Sequence, residues 1–214
     1  MAVDIIKPIE IEQRSFEIIT ELLGDKALTP GTEMVVKRVI HTTADFDYAD
    51  NLVFSPQAVQ KGIEALKRGC DIVTDTQMAK AGINKTTLAK LGGEVHCFMS
   101  DPDVAKEAKR RGITRAAVSM EKAASMEKAA SACRGLIIAI GNAPTALIRL
   151  AELIREERLA PSLIIGVPVG FVNVIESKEM LMELPVPYIV SKGRKGGSNV
   201  AAAIVNALLY QIMR

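Results

Sequence analysis

The 214-residue sequence is poor in the residues that build metal centres and disulfide frameworks. Its only histidines are His41 and His96, and its three cysteines, Cys70, Cys97 and Cys133, are far apart and outside any CxxC pair. Two imidazoles are too few for a histidine-rich metal site. An odd number of distant thiols is typical of buried cysteines rather than of a disulfide framework or a zinc site.

Long apolar runs and a strong excess of one charge are also lacking. No segment reaches the roughly 18 consecutive apolar residues that a membrane span needs. The opening, MAVDIIKPIEIEQR, does not have the basic-then-apolar order of a signal peptide. The formal net charge of +2 is too small to indicate a nucleic-acid surface. We therefore expect a cytoplasmic protein without membrane or nucleic-acid contacts, in which any anion site is local.

Apolar residues make up 49% of the chain, enough to bury a core, and the length is typical of one domain, 1–214. From residue 70 onward, short apolar runs alternate with amphipathic stretches, which indicates βαβ units and an α/β fold with a mainly parallel sheet. The runs lack strict alternation, as expected of strands that helices cover on both faces. The five predicted strands cover 70–74, 94–99, 135–140, 162–167 and 187–191.

Helix signals occur before and between these runs. Pro8 begins a predicted helix that Gly24 ends, and Thr29-Pro30 begins a second one that has His41 at its end. Another helix has the residues of an N-cap and a first-turn proline, Ser55-Pro56, followed by an apolar stripe of Val59, Ile63 and Leu66.

Three more helices are predicted further along the chain. Pro144 begins one, and Ser198 begins another that is apolar almost all round, which indicates either deep burial or a subunit interface. The tandem SMEKAA at 119–124 and 125–130 predicts an alanine-rich surface helix. Its two copies face different directions because six residues do not complete whole helical turns.

The segment KRVIHTTADFDYAD, 37–50, is the first candidate for chemistry. Arg38 and His41 share a helical face, and hydroxyls and carboxylates follow, beginning with Thr42. Histidine titrates near neutrality, so His41 could exchange a proton at pH 7. The alternative is that His41 caps the helix, where the helix dipole favours its charged form, and spacing alone favours that interpretation.

Two glycine-containing strand ends could bind anions. In GVPVGFVNVIESK, 166–178, Gly166 and Gly170 precede a helix and could expose backbone amides, or could serve only a tight turn. In SKGRKGGSNVAAA, 191–203, three cations alternate with glycines before a helix, and we favour an anion site over a solvated basic turn. The residues of this second site are Lys192, Gly193, Arg194, Lys195, Gly196, Gly197 and Ser198. Neither segment is a GxGxxG or Walker A motif.

Weaker signals occur at the other strand ends. Asn142, after the third run, is either a ligand or an N-cap. Asp75, Thr76 and Asp101 also follow strands, and His96 is interpreted as a hydrogen-bonded core histidine. Because carboxyl ends of parallel strands meet at one edge, these groups together predict a site for a large polyanion.

Taken together, these segments resemble the precorrin-8X methylmutase family of cobalamin biosynthesis over nearly the whole chain, closest to its cobalt-containing, anaerobic-type branch. The matching segments, in family order, are KRVIHTTADFDYAD, TDTQMAKAGINK, SDP with GITR, GNAPTAL, GVPVGFVNVIESKE and GRKGGSNVAAAIVNALL. The resemblance implies a three-layer α/β/α sandwich, a homodimer, and no cofactor beyond any metal that the tetrapyrrole substrate carries. Asn173 departs from the family, which often has a smaller residue there.

The resemblance also implies a reaction and its residues. A methyl group would move from C-11 to C-12 of precorrin-8X, giving hydrogenobyrinate, or of cobalt-precorrin-8, giving cobyrinate. His41 would be the acid, and Ser15 and Arg38 would contact substrate. The remaining expected substrate-binding residues are Thr42, Asn142, Gly166, Gly170, Lys192, Arg194, Gly196, Gly197 and Ser198. Two other function classes stay open: a non-catalytic corrinoid carrier, and a nucleotide-dependent transferase on a Rossmann-like sheet.

Overall fold

A computed structural model describes residues 7–129 and 135–213, which form a six-stranded sheet between two layers of helices. The strands are β1 (Leu52–Phe54), β2 (Asp71–Thr74), β3 (Val95–His96), β4 (Leu136–Ile140), β5 (Leu163–Gly166) and β6 (Tyr188–Ser191). The helices are α1 (Pro8–Leu23), α2 (Glu33–Thr43), α3 (Tyr48–Asn51), α4 (Ala58–Lys67), α5 (Gln77–Gly82), α6 (Lys85–Lys90), α7 (Pro102–Arg111), α8 (Arg115–Ala129), α9 (Pro144–Arg155), α10 (Val174–Met182) and α11 (Ser198–Ile212).

The sheet order is β1-β6-β5-β4-β2-β3, and β2 to β6 are parallel. All five predicted strands are confirmed. Strand β1, which pairs antiparallel with β6 at one edge, was not predicted. Its three residues directly follow a short helix, so they show no period from which a strand could be predicted.

Each face of the sheet has its own apolar core, which confirms the three-layer α/β/α sandwich. Helices α2, α4, α5 and α11 pack on one face, and α8, α9 and α10 on the other. The residues of α11 from Val200 to Leu209 are almost all buried inside the chain. Deep burial is therefore the reason for its apolar surface, and the helix is no evidence for a subunit interface.

Two predicted helix starts are wrong by a few residues. Helix α2 begins at Glu33 rather than at Thr29-Pro30, because the amide of Thr32 donates to the carbonyl of Thr29 in a separate turn. Helix α4 begins at Ala58 after Gln57, which has a left-handed backbone. Ser55 is not its N-cap.

The SMEKAA duplication is not wholly on the surface. The first copy buries Ser119, Met120, Ala123 and Ala124 against the sheet, which corrects the prediction of a surface helix. The second copy begins with an exposed Ser125, and its last residue lies outside the described part of the chain.

Cys70 and Cys97 are buried free thiols, as predicted, and burial raises the pKa of Cys70 to about 12. Cys133 lies outside the described residues. Across residues 7–129 and 135–213, no helix is long and apolar enough to cross a membrane.

Candidate active site

The carboxyl ends of β2, β4, β5 and β6 bring several predicted segments together. The hydroxyls of Thr76 and Ser198 lie 2.7 Å apart, which joins the end of β2 to the start of α11. The amide of Gly197 donates to the carbonyl of Val167 at 2.9 Å, and the amide of Gly170 donates to that of Arg194 at 3.3 Å. The loop after β5 therefore packs on residues 192–197, which we call the basic loop.

The glycines at this edge make close packing possible. Gly196 has φ +159°, and a Cβ there would lie 2.1 Å from the carbonyl oxygen of Val167. Gly166 is buried in β5, where a Cβ would lie 2.5 Å from the Leu181 side chain. The amides of Gly170 and Gly197 already donate to carbonyls. The open amides predicted at these two positions are therefore occupied by the protein itself.

The basic loop is anchored from below by Lys178, on α10. Its ammonium nitrogen donates to the carbonyls of Gly193 at 2.8 Å and Lys195 at 2.9 Å, and to the hydroxyl of Ser191 at 3.3 Å. The side chain is 1% exposed, and burial lowers its pKa to about 8. Sequence reasoning did not single out Lys178. Its position four residues after the buried Val174 is the signal that could have placed it on the inner face of α10.

The three cations of the basic loop have different partners. Lys195 donates to Asp45 and Asp47, each at 2.6 Å, and this contact lowers the pKa of the Asp45 carboxyl. Lys192 and Arg194 are exposed and have no carboxylate partner among the described residues. Two cations at the edge of the sheet therefore remain open to an anion.

The start of α9 is closed. Asp75 is 1% exposed, and its carboxylate accepts hydrogen bonds from the amides of Gly141, Asn142 and Ala143 at 2.7 to 2.9 Å. Burial raises the pKa of Asp75, and the three amides oppose that rise. Asn142 is not the N-cap, since that position belongs to Ala143, and its own side chain is exposed.

Asn173, the departure from the family pattern, precedes α10 with a left-handed backbone, φ 56°. Among residues other than glycine, asparagine tolerates this conformation best. The structure thus explains why an asparagine suits this position.

His41 lies in the last turn of α2, exposed, with its ring stacked on Phe16 of α1 at a centroid distance of 5.6 Å. Phe16 also lies 4.8 Å from the guanidinium of Arg38, which contacts the ring of Tyr210 at 5.0 Å on another side. Sequence reasoning missed both aromatic residues. Aromatic residues are scarce in this chain, which is a weak signal that each one matters. Their contact with Arg38 could not be predicted, because it arises from the packing of α1 and α11 on α2.

Arg38 is 6% exposed and donates to Glu12 at 2.7 Å, while its buried Nε has no hydrogen-bond partner in the part of the chain that the structure describes. The hydroxyls predicted beside it make local contacts: Ser15 donates to the carbonyl of Ile11, and Thr42 to that of Arg38. Ser15 directly precedes Phe16. The structure therefore joins Arg38 and His41 to Phe16 of α1, whereas the hydrogen bonds of Ser15 and Thr42 stay within their own helices.

The contacts of Lys195 link this cluster to the edge of the sheet. Asp45 and Asp47 follow α2 by two and four residues, and both bind the basic loop. The segment that carries His41 is thus attached to the loop that carries Lys192 and Arg194.

His96 is not the satisfied core histidine that was predicted. It lies on the edge strand β3, and within residues 7–129 and 135–213 its Nε2 has no hydrogen-bond partner, although Asp71 is 3.7 Å away. Asp101 binds Lys122 at 2.8 Å. In the part of the chain that the structure describes, no group of three His, Cys, Asp or Glu residues could hold a metal ion.

A cavity of about 310 Å³ lies between α8 and α9. The hydroxyls of Thr114 and Thr145, which belong to the segments GITR and GNAPTAL, meet there at 2.9 Å. Glu121 beside it is bound by Arg111 and Arg149.

The fold and this edge define an α/β protein with a site suited to a polyanionic ligand, attached through Lys195 to the segment that follows the exposed His41. A family model described as precorrin-8X methylmutase matches residues 10–211. The chain belongs to the precorrin-8X methylmutase family, whose members are methyl-shifting isomerases of cobalamin biosynthesis.

Relatives and a solved structure agree with this membership. The chain is 49% identical to the cobalt-precorrin-8 methylmutase of Priestia megaterium, over 95% of this chain and 88% of that protein. It is 46% identical to the enzyme of the same name from Salmonella typhimurium, over 96% of each chain. The precorrin-8X methylmutase of Thermus thermophilus has a TM-score of 0.84 and 38% identity, with 95% of this chain and 98% of that chain covered.

Proposed function

We propose that this protein moves the methyl group from C-11 to C-12 of cobalt-precorrin-8 or precorrin-8X, to give cobyrinate or hydrogenobyrinate, and that His41 is the acid. The observation that carries the proposal is the setting of His41. Its ring face rests on Phe16, it lies in the last turn of α2, and within the described residues neither ring nitrogen is engaged in a hydrogen bond. Both nitrogens are therefore available to a ligand.

The chemistry fits an imidazolium acting alone. The methyl group leaves C-11 and bonds to C-12 within one molecule, so no atom is gained or lost and no covalent bond to the protein is needed. An imidazolium that donates its N–H proton to ring C withdraws electron density from the conjugated path that the methyl group crosses. The proton returns to the imidazole once the methyl group has bonded to C-12. The protein's main task is then to hold the macrocycle in one orientation.

The residues that we propose for this task surround His41 and the edge of the sheet. Lys192 and Arg194 have no carboxylate partner among the described residues, so they can bind the carboxylates of the substrate. Within the described residues the buried Nε of Arg38 is unpaired, next to the Phe16–His41 stack. Ser15, the residue before Phe16, is a further proposed contact. The other contacts that we propose are Thr42, Asn142, Gly196 and Ser198, whereas Gly166, which is buried, and Gly170 and Gly197, whose amides are engaged, would shape the edge by close packing.

The test is to mix the purified protein with precorrin-8X and with cobalt-precorrin-8 and to record absorption spectra, because moving the methyl group changes the conjugation of the macrocycle. We expect His41→Asn to slow the reaction by about 10²- to 10⁴-fold. Binding of the product should persist in the variant. Arg110→Gln, an exposed change on α7, is the control and should act like the wild type.

Comparison of the two substrates shows which form is preferred. Near wild-type turnover by His41→Asn would refute the acid role. Binding without turnover by the wild type would favour the alternative, a non-catalytic corrinoid carrier.

The proposal includes the setting of the enzyme. We expect residues 1–214 to act as one domain, in the cytoplasm, as a homodimer, without nucleic acid or membrane and without a cofactor of its own. Helix α11 does not support a dimer, but the loop after β5 exposes Val169, Phe171 and Val172, an apolar surface that a second copy could cover. Light scattering measures the mass of the protein in solution and so tests the dimer. Treating the enzyme with a chelator and then measuring its turnover of the metal-free substrate tests whether it needs a metal cofactor.

A further inference from the structure

The buried ammonium of Lys178 is an unusual anchor for a loop. Burying a cation without a partner is costly, and such groups normally pair with a carboxylate. Lys178 has no carboxylate partner in the described part of the chain, and its three partners are the neutral oxygens of Ser191, Gly193 and Lys195. An ordinary core would hold an apolar residue here, so the lysine has a purpose beyond filling space.

Those three oxygens outline the path of the basic loop. Ser191 is the last residue of β6. Gly193 lies two residues later, where the backbone turns with φ +70°, and Lys195 follows two residues after it. The hydroxyl of Ser191 donates to the carbonyl of Lys195 at 2.7 Å, which closes the turn a second time. One amine therefore holds the carbonyls on both sides of Arg194 toward the interior.

The consequence for the side chains follows from the direction of the backbone. With the carbonyls of Gly193 and Lys195 turned inward, the side chains of Lys192 and Arg194 stay exposed at the edge. The carbonyl of Arg194 accepts from Gly170, and its guanidinium lies 6.0 Å from the ring of Phe171. The loop is thus shaped before any ligand arrives, which lowers the entropy lost on binding.

We propose that Lys178 is a positioning residue that acts through the basic loop, holding Lys192 and Arg194 in the arrangement that binds carboxylates of the substrate. It does not touch the substrate. Its contribution is to affinity and not to the methyl shift. The expected effect on affinity rests on the proposed function, whereas the expected effect on the order of the loop does not.

The test is Lys178→Met, which keeps the length of the side chain and removes the three hydrogen bonds. The loop contains Lys192, Arg194 and Lys195, so limited trypsin digestion reports its order directly. We expect cleavage at these three residues to accelerate by about tenfold or more in the variant under native conditions, since three charge-assisted hydrogen bonds are lost. KM should rise by about tenfold, with kcat within about threefold of the wild type.

Matched variants separate this role from a general loss of structure. Lys106→Met removes an exposed lysine of α7 that has no ion pair among the described residues, and it should match the wild type in digestion and kinetics. Ser191→Ala removes one of the three acceptors and should raise the cleavage rate by a smaller factor, about threefold. It also keeps the proposal testable if Lys178→Met does not fold, as judged by far-UV circular dichroism.

Three results would overturn the proposal. They are an unchanged cleavage rate in a folded variant, faster cleavage with an unchanged KM, and a loss of kcat at constant KM. If the wild type converts neither tetrapyrrole, the proposed function fails, while the digestion still decides whether Lys178 orders the loop.

Discussion

The starts of α9 and α11 are built alike but are filled differently. Each follows a parallel strand and a loop that contains glycine, at the carboxyl edge of the sheet. Before α9 the carboxylate of Asp75 binds the amides of the loop. At α11 the preceding loop presents Lys192 and Arg194, which no carboxylate of the described residues neutralises. The first is a closed structural site, and the second is open to a ligand.

The largest expected effect comes from emptying the closed site. Asp75→Ala leaves the amides of Gly141, Asn142 and Ala143, directly before α9, without their acceptor, and we expect the free energy of unfolding to fall by about 3 kcal/mol or more. Urea denaturation measures this change. Asp103→Ala, which removes an exposed carboxylate on α7, is the control and should have little effect. A loss below about 1 kcal/mol would mean that water can replace the carboxylate of Asp75, so that the loop before α9 is as accessible as the loop before α11.

The buried Lys178, which holds the basic loop, should affect how the stability of the protein depends on pH. The pKa of Lys178 is lowered from 10.5 to about 8 in the folded state, so the unfolded chain binds the proton more tightly. Between about pH 8 and 10.5 the folded protein should therefore gain stability as the pH rises, relative to Lys178→Met, by up to about 3 kcal/mol. Denaturation of both proteins across this range measures the difference. A constant difference would show that the three acceptors hold the pKa near its usual value.

Removing the open cations should affect binding more than folding. We expect the double variant Lys192→Met with Arg194→Met to bind the tetrapyrrole about 10- to 100-fold more weakly, since charge-assisted hydrogen bonds are lost. Titration followed by absorption measures the affinity, and thermal unfolding should be nearly unchanged because both side chains are exposed. Unchanged affinity would show that Lys192 and Arg194 do not bind the ligand, and that the loop before α11 is not the open site.

The smallest effect is expected at the contact between the basic loop and the segment after α2. Asp45→Asn leaves Lys195 with Asp47 as partner, and such exposed pairs contribute little, so KM should change by less than about twofold. Steady-state kinetics tests this. A tenfold change would show that the pair couples the loop to the His41 segment.

Much of the fold was predictable from patterns that the chain shows locally. Five apolar runs separated by amphipathic stretches led to the five parallel strands, and Pro8, Gly24 and Pro144 marked helix ends correctly. β1 was missed because three residues show no period. The starts of α2 and α4 were misplaced because turns with favourable proline positions precede them, and hydrogen bonds in space select the first helical residue.

The candidate site was predictable as a set of segments but not as a set of contacts. Lys192, Arg194 and His41 could be named because their charge and their strand-end or helix-end positions are visible in the sequence. The roles of Asp75 and Lys178 could not. Each acts on a segment far along the chain, 66 to 68 residues away for Asp75 and 13 to 17 for Lys178.

The sequence by itself determined the α/β architecture, the edge at which polar groups gather, and the family, since periodicity and long motifs are properties of the chain alone. Tertiary structure decided which helix start is closed and which is open. The loop before α9 is closed because the buried carboxylate of Asp75, which follows β2, binds its amides. The loop before α11 is open because the buried ammonium of Lys178 binds its carbonyls and leaves its cations exposed. Both are electrostatic contacts between elements that only the packed sheet brings within hydrogen-bonding distance.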